Sequence, residues 1–348
     1  MTPAHGIHAD LSPRGRHFIA VLSLDGGGIR GLIAARVLGA LEQRAGMPAS
    51  RLFDLIAGTS TGGIIALALT KPGPDPSRPQ YSAMDLVDLY RSRGPEIFQR
   101  SLGQLVASLG GLAGPKYSAA ALERVLRGYF GATRVREALT PVLVTSYDTA
   151  AAKPYFFKSY RQPAPGEPAD DDLMWQAARA TSAAPTYFPP FELKAVDPGA
   201  EDRSLLDGGV FANNPSMCAL ADASKLFGGS DLPILVASIG TGNDELRFTY
   251  GDVKSRGLLR WAVPILKVVF DGVNDSVDYE TEELADEYYR FQEDLVAEEL
   301  DDASPGAIER LLAAAEDLTT RRDADLAALA KALKGNVSPV SPVATPTS

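Results

Sequence analysis

Two short glycine-rich turns, each following an apolar run and preceding a helical pattern, constrain the fold of this chain more than any other feature. The apolar run 17–24 (HFIAVLSL) ends at the turn 25–31 (DGGGIRG), after which a helix is predicted. The same order recurs in the apolar run 51–57, the turn 58–62 (GTSTG) and the start of an apolar helix over 63–70. Repeated strand, turn and helix units predict an α/β fold with a parallel sheet.

The rest of the chain is expected to add strands to this sheet and helices around it. Helical patterns dominate residues 81–130, interrupted by glycines near Gly110, and dominate again beyond Gly257, where acidic residues are frequent. Residues 288–291 (YYRF) fall among these later helices, for which we expect a regulatory or oligomerisation surface. Further strands are predicted at 141–147, 154–157 and 232–239, and a further helix at 172–182.

Composition excludes several classes of function. The chain has 348 residues and a formal net charge of −10, and without a basic run this argues against a nucleic acid polymer as partner. Cys218 is the only cysteine, so an internal disulfide is excluded and a reducing, cytoplasmic location is expected. No apolar run reaches the length of about 18 residues that a membrane-spanning helix needs. We therefore expect at most a peripheral association with membranes.

Ser60 lies at the centre of the second turn, which has the form Gly-x-Ser-x-Gly. In this strand-to-helix context the motif holds a nucleophilic hydroxyl at a helix N-terminus, where backbone amides favour developing negative charge. Gly58 and Gly62 form the elbow, because residues without side chains let neighbouring segments approach closely. The motif predicts Ser60 as a nucleophile, but taken alone it fits a serine that merely caps the helix equally well.

The first turn also has the form Gly-x-Gly-x-x-Gly, which is typical of dinucleotide-binding loops. In those proteins the next strand ends in a carboxylate that binds the ribose, whereas here it ends at Gly58, Thr59 and Ser60. An acyl-transfer enzyme would instead direct the bare N–H groups of such a loop at the oxyanion of a tetrahedral intermediate. Arg30 would steady the loop or a phosphate group, or else serve as a surface or helix-pairing residue.

The order of residues along the chain argues against a histidine as the base that would activate Ser60. The three histidines, His5, His8 and His17, all precede the first glycine turn, whereas a conventional triad of this topology needs a histidine after the nucleophile. Asp207, followed by two glycines, is the best candidate, although a plain Asp-Gly turn is the alternative. With an ordinary pKa of about 3.9 it must act through close geometry and a partly desolvated setting.

Together and in this order, DGGGIRG, GTSTG and the DGG at 207–209 resemble the motifs of the patatin-like phospholipases, including bacterial members of that family. Residues 180–188 (ATSAAPTYF) and 213–215 (NNP) resemble further stretches of the family. The similarity extends from Phe18 to Gly242. Each motif is unspecific alone, whereas the whole set in this order is highly specific.

The resemblance implies a three-layer α/β/α fold with a mostly parallel central sheet and a helical C-terminal extension. It also implies hydrolysis of lipid acyl esters, with Ser60 as nucleophile and Asp207 as proton acceptor, without a cofactor or metal. The oxyanion hole is expected from members of the first turn, namely Gly26, Gly27, Gly28 and Arg30.

The expected organisation is a flexible N-terminus over residues 1–16, a catalytic core over 17–245, a helical part over 246–334 packed on the core, and a flexible tail over 335–348. The apolar stretch 257–270 is either a lipid-contacting surface or a core helix kinked at Pro264.

The expected partner is membrane or micellar lipid, and the chain is compatible with a homo-oligomer. Activation by a cyclic dinucleotide, as in some bacterial relatives that act in antiviral defence, fits this layout, although no nucleotide-binding motif supports it. A nucleotide-binding enzyme that uses the first turn and a non-catalytic lipid-binding or storage protein are the competing interpretations.

Overall fold

The computed structural model describes residues 15–98, 114–161, 172–194, 202–244, 249–254, 261, 264–295 and 299–337. The predictions about residues 1–14 and 338–348, about the glycines near Gly110, and about most of the stretch 257–263 lie outside these residues. None of the described helices combines the length and the apolar character that crossing a bilayer requires.

The first glycine turn follows the central strand of a mostly parallel sheet. That strand, β1 (Ile19–Leu24), pairs in parallel with β2 (Leu55–Gly58) on one side and with β7 (Ile234–Ile239) on the other. Beyond β2 lies β3 (Val142–Asp148), and beyond β7 lies β9 (Glu287–Phe291), both again parallel to their neighbours. All six residues of β1 are buried, as expected for a strand covered on both faces.

Three antiparallel strands complete the sheet around β3. They are β4 (Lys153–Lys158), which pairs with β3, β6 (Arg203–Asp207), which also pairs with β3, and β5 (Phe191–Leu193), which pairs with β6. A separate parallel pair is formed by β8 (Asn243–Asp244) and β10 (Asp294–Leu295).

The register on β3 brings the carboxyl ends of β2 and β6 together. Gly58, the last residue of β2, is opposite Val144, and Asp207, the last residue of β6, is opposite Ser146. Because β6 runs antiparallel to β3 whereas β2 runs parallel to it, the two strands end next to each other along β3. Whatever follows Gly58 is therefore close to Asp207.

Helices cover both faces of the sheet. In β1, Leu22 and Leu24 belong to the larger core on one face, and Ile19 and Val21 belong to the smaller core on the other, as the alternation of side chains along a strand requires. The helices are α1 (Gly31–Ala45), α2 (Ala49–Leu52), α3 (Thr61–Thr70), α4 (Ala83–Ile97), α5 (Ala119–Phe130), α6 (Met174–Thr181), α7 (Gly209–Ala212), α8 (Ser216–Phe227), α9 (Tyr250–Val253), α10 (Pro264–Leu284), α11 (Pro305–Arg321) and α12 (Asp323–Asn336).

The smaller core includes Ala219, Leu220, Ala223 and Phe227 of α8, whereas α1, α3 and α11 contribute to the larger one. The chain therefore has the expected three layers, with a mixed, mostly parallel central sheet and helices in its C-terminal part.

Three predicted elements differ from the structure. Residues 288–291 are not helical but form most of β9, because their aromatic side chains favour a strand that pairs with β7. Residues 51–52 end the short helix α2, and the strand expected over 51–57 begins only at Leu55. The last helix, α12, reaches past the boundary expected at residue 334, and the Asn336 side chain accepts the N–H of His17 at 2.7 Å.

Candidate active site

Ser60 occupies a strained turn between β2 and α3. Its backbone has φ 54° and ψ −122°, a conformation that residues with a side chain rarely adopt. The Ser60 N–H donates to the Thr181 hydroxyl at 2.8 Å, and its carbonyl accepts the N–H of Ile64 at 3.1 Å. The surrounding structure thus holds the turn in place, and the Ser60 side chain is half-buried at its tip.

The side chain of Ser60 does not cap the helix that follows it. Three other helices begin differently, because the hydroxyls of Ser82, Ser118 and Ser304 accept a backbone N–H of the first helical turn. The interpretation of Ser60 as an ordinary capping residue is therefore wrong.

Gly58 and Gly62 are required at the elbow because the backbone passes too close for a side chain. A Cβ atom at Gly62 would lie 2.2 Å from the carbonyl oxygen of Leu24, and one at Gly58 would lie 2.2 Å from the carbonyl oxygen of Gly62. These distances are far below a van der Waals contact. The elbow glycines therefore pack the end of β1 against the start of α3.

Asp207 is buried and lies within hydrogen-bonding reach of the Ser60 side chain. Its carboxyl group accepts the Gly209 N–H at 2.8 Å, and the Ser60 hydroxyl lies near enough to affect its pKa. Burial raises the pKa of Asp207 to about 7, because the charged form loses its hydration, although the Gly209 N–H and the Ser60 hydroxyl act in the opposite direction. The structure thus brings the two predicted residues of the dyad into contact.

The end of α6 holds both members of this pair. Thr181 accepts the Ser60 N–H, and the carbonyl of Ala183 accepts the Asp207 N–H at 3.1 Å. Both residues belong to the stretch 180–188, which the sequence analysis related to a known family without assigning it a role. Its role here is to fix the relative positions of the hydroxyl and the carboxyl group.

The first glycine turn lies directly against Ser60. A Cβ atom at Gly26 would be 3.3 Å from Cβ of Ser60, and the Gly26 carbonyl accepts the Thr241 hydroxyl at 2.7 Å. The Gly26 N–H donates to the carbonyl of Asn213 at 3.0 Å. This amide is therefore already used in this conformation, and the role of Gly26 as an oxyanion donor stays a prediction.

The other predicted donors have a different environment. Within the described residues no group accepts a hydrogen bond from the N–H of Gly27 or Gly28. Arg30 is buried, and its own N–H donates to the carbonyl of Gly27 at 3.1 Å. Burial raises the pKa of Tyr187 to about 12, and the nearby charge of Arg30 counteracts this shift.

Two contacts with this turn come from distant parts of the chain and escaped the sequence analysis. Asp25 accepts a hydrogen bond from Arg290 of β9, with Nη2 and Oδ2 2.7 Å apart and 265 positions between them in the sequence. The carbonyl of Leu300 accepts the Ile29 N–H at 2.9 Å. The only available signal for Arg290 was the alternation in EYYRF, which the many acidic neighbours obscured.

The arrangement has the components of acyl transfer: a hydroxyl, a buried carboxyl group close to it, and amides nearby. Among the described side chains, no group of three or more His, Cys, Asp or Glu residues has the geometry of a metal site. The nucleotide interpretation gains nothing from this geometry, because β2 leads into Ser60 where such folds have a ribose-binding carboxylate.

Comparisons with known proteins agree with this chemistry. A family model described as patatin-like phospholipase matches residues 22–220. Patatin-like protein 2 of Arabidopsis thaliana is 36% identical over 292 residues, which cover 76% of this chain and 71% of that protein. Patatin-like protein 2 of Oryza sativa subsp. indica is 34% identical over 298 residues, which cover 77% of this chain and 73% of that protein.

Solved structures show a more distant similarity. The structure of human GIVD cytosolic phospholipase A2 in complex with methyl gamma-linolenyl fluorophosphonate has a TM-score of 0.44 and 13% identity. The match covers 92% of this chain and 59% of that one.

Proposed function

The chain belongs to the patatin-like phospholipase family, and from this premise we propose that Ser60 and Asp207 are the catalytic dyad of its acyl hydrolase activity. The activity of the family is the hydrolysis of carboxylic esters of lipids. The observation that carries the proposal is the proximity of the Ser60 hydroxyl to a buried carboxyl group, which follows from the register of β2 and β6 on β3. A serine acyl hydrolase needs this contact for the nucleophile to lose its proton.

In the first step, Asp207 accepts the proton of the Ser60 hydroxyl while Oγ attacks the ester carbonyl. The tetrahedral intermediate collapses to an acyl-enzyme, and the leaving alcohol takes the proton from Asp207. In the second step, Asp207 accepts a proton from water, and the resulting nucleophile releases the fatty acid and regenerates Ser60. One carboxylate thus serves as base in both halves of the reaction.

The pKa of about 7 for Asp207 is favourable for this role. An aspartate with its ordinary pKa would be a poor acceptor for the proton of a hydroxyl, whereas a base whose pKa lies near neutral pH combines ionisation with proton affinity. Burial of the carboxyl group is therefore the physical cause of its proposed competence as a base.

For the oxyanion hole we propose the N–H groups of Gly27 and Gly28, supported by the N-terminus of α3. The Gly26 N–H would contribute only if its hydrogen bond to Asn213 opened. Arg30 is proposed to steady the turn, because its backbone closes onto Gly27. Removal of one such donor typically lowers the rate by about 10²–10³.

The substrate is a lipid, and we propose that the enzyme meets it at membranes or micelles as a peripheral protein of the cytoplasm. A bacterial origin, a homo-oligomeric state and activation by a cyclic dinucleotide stay predictions. The two sequence relatives described above are plant proteins. Activity assays with and without a panel of cyclic dinucleotides test the last of these predictions.

The deciding experiment compares Ser60→Ala with Ser118→Ala, a matched variant at a serine that does cap its helix. We expect Ser60→Ala to reduce fatty-acid release from a phospholipid panel to background and to abolish labelling by a fluorophosphonate probe. Ser118→Ala should keep full activity and lose about 0.5–2 kcal/mol of folding stability. Fatty-acid release by folded Ser60→Ala protein at the wild-type rate would refute the proposed dyad.

A further inference from the structure

The C-terminal part of the chain contacts the first glycine turn at both of its ends. Arg290 of β9 pairs with Asp25, which precedes the glycines. The carbonyl of Leu300 accepts the N–H of Ile29, which follows them. Both contacting residues lie beyond the stretch 22–220 that matches the family model. The turn that is proposed to stabilise the oxyanion is thus held by residues outside the part of the chain that defines the family.

The contact at Asp25 is a buried ion pair. The side chains of Asp25 and Arg290 are 1% and 14% exposed, and Arg290 also donates to the Ser238 hydroxyl at 2.8 Å. Burial raises the pKa of Asp25, and the charge of Arg290 opposes that shift. Without the guanidinium group, Asp25 would be an uncompensated buried carboxylate next to the proposed oxyanion site, which is strongly destabilising.

The Arg290 guanidinium is itself fixed from another side. Its Nε lies 3.4 Å from Oδ1 of Asp278, a residue of α10 that also accepts a hydrogen bond from Tyr288. Contacts with Asp25, Ser238 and Asp278 leave the planar group little freedom to rotate. A lysine could supply the charge but could not make several of these contacts at once.

The contact at the other end of the turn is equally close. A Cβ atom at Gly28 would lie 2.1 Å from the carbonyl oxygen of Leu300. The next residue, Asp301, accepts the Tyr117 hydroxyl at 2.6 Å and pairs with Lys116. Tyr117 and Lys116, on another part of the chain, therefore hold the segment of Leu300 in place.

These contacts bear on catalysis because glycines do not define a conformation by themselves. Gly28 has φ 58°, and only contacts from outside the turn select this conformation among the many that glycine adopts. An oxyanion hole lowers the barrier only when its donors already point at the developing charge. The amides of Gly27 and Gly28 lie between the two fixed ends of the turn.

We propose that Arg290 is a positioning residue, which acts through Asp25 to hold the glycine turn in the conformation that binds the oxyanion. This inference rests on the proposed function of the turn. It predicts that loss of Arg290 weakens binding of the transition state more than binding of the substrate.

The test uses Arg290→Met, Arg290→Lys and the matched control Arg16→Met in the full chain. Arg16 pairs with Asp54 at 2.9 Å, with side chains 15% and 11% exposed, so the control also removes the arginine of a largely buried pair. A fluorophosphonate, applied to completion, counts the active sites in each preparation. Turnover of p-nitrophenyl butyrate per active site and inhibition by a lipid trifluoromethyl ketone are then measured.

For Arg290→Met we expect kcat per active site to fall by about 10²–10³, the typical effect of losing an oxyanion donor, with little change in KM. The inhibition constant of the ketone should rise by a similar factor, because its hemiketal oxyanion uses the same donors. For Arg290→Lys, both kcat per active site and the inhibition constant of the ketone should lie between the values of wild type and Arg290→Met. Arg16→Met should keep the wild-type kcat per active site.

Wild-type kcat and ketone affinity per active site in Arg290→Met would overturn the inference and leave Arg290 a purely structural residue. If Arg290→Met does not fold, Arg290→Lys decides, because wild-type values there would overturn the inference equally. Failure of the proposed function is a separate outcome, since the wild-type protein would then neither hydrolyse the ester nor label at Ser60.

Discussion

The two ends of β1 and β2 carry the same kind of interaction in very different surroundings. At the amino ends, Asp54 pairs with Arg16 and accepts the N–H of Ala20 at 2.9 Å. At the carboxyl ends, Asp25 pairs with Arg290, but glycines follow it and Ser60 has a positive φ. One buried oxygen of Asp25 has no hydrogen-bond partner among the described residues.

The difference indicates where the fold accepts strain for chemistry. At the amino ends, the carboxylate of Asp54 accepts a backbone N–H and pairs with an arginine. At the carboxyl ends, a strained backbone, unused amides and a carboxyl group close to a hydroxyl lie together. Such local departures from ordinary structure concentrate at functional sites.

The sharpest test of this contrast is Asp207→Asn compared with Asp54→Asn. We expect Asp207→Asn to lower kcat by about 10³–10⁴, towards the upper end of the usual contribution of a general base. Asp54→Asn, at the opposite end of the sheet, should retain wild-type kcat per active site. Equal losses of kcat in the two variants would remove the functional distinction between the two ends.

The pH dependence should be the next largest effect. Because Asp207 must be ionised to act as base, kcat/KM should fall about tenfold per pH unit at pH values well below 7. A pH profile with an apparent pKa near 7 is the expected result. A profile governed by an ordinary aspartate, still flat at pH 5, would contradict the raised pKa and its cause.

The same group affects stability with a defined sign. Because the pKa of Asp207 is raised on folding, the folded state binds the proton more tightly, and its contribution to stability is lost as the pH rises from about 4 to 7. At pH 8 the free energy of unfolding of Asp207→Asn should therefore exceed that of wild type by an amount on the order of a few kcal/mol. The variant should accordingly unfold at a higher denaturant concentration. Lower stability of the variant at pH 8 would show that burial does not penalise the charge.

Replacing a glycine by alanine should change stability in opposite directions at the strained elbow and in a regular, exposed helix. Gly62→Ala forces a methyl group against the carbonyl oxygen of Leu24 and should cost about 1–3 kcal/mol or more. Gly128 is exposed in α5 with no neighbour within 4 Å of an added Cβ, so Gly128→Ala should stabilise the protein by about 0.5–1 kcal/mol. Chemical denaturation measures both changes, and a stabilising Gly62→Ala would contradict the close approach.

The smallest expected change in kcat concerns the support of the strained turn. Thr181→Val removes the acceptor of the Ser60 N–H and should lower stability by about 1–3 kcal/mol and kcat by roughly tenfold. The hydroxyl of Thr70 is also buried, but it donates to carbonyls of its own helix. Thr70→Val is therefore the matched control and should keep wild-type kcat. If the two variants have the same kcat, Thr181 does not position the nucleophile.

The parts of this architecture that depend on residues close in sequence could be predicted from the sequence. The two glycine turns predicted β1, β2 and the helices after them, because apolar runs and turn residues act over a few positions. The motifs also predicted Ser60 and Asp207 as a dyad, and the register of β2 and β6 on β3 explains why the two residues meet. These features depend on residue types that have few structural alternatives.

The remainder depends on contacts between distant parts of the chain. The N–H of Gly26 is used by a carbonyl of residue 213, and backbone carbonyls leave no trace in residue identity. The strand β9 is short and has strongly acidic neighbours, and only its pairing with β7 distinguishes it from a helix. Arg290 therefore could not be connected with Asp25 before the fold was known.

The meeting of β2 and β6 along β3 has a consequence for how homologous chains can diverge. Loops before these strands can change in length without altering the separation of the hydroxyl and the carboxyl group, because the register on β3 and the contacts with Thr181 and Ala183 set it. A single residue inserted within β6 would instead turn Asp207 to the opposite face of the sheet, since side chains alternate. Insertions in the loops should thus be tolerated at this site far better than any insertion that shifts the strand.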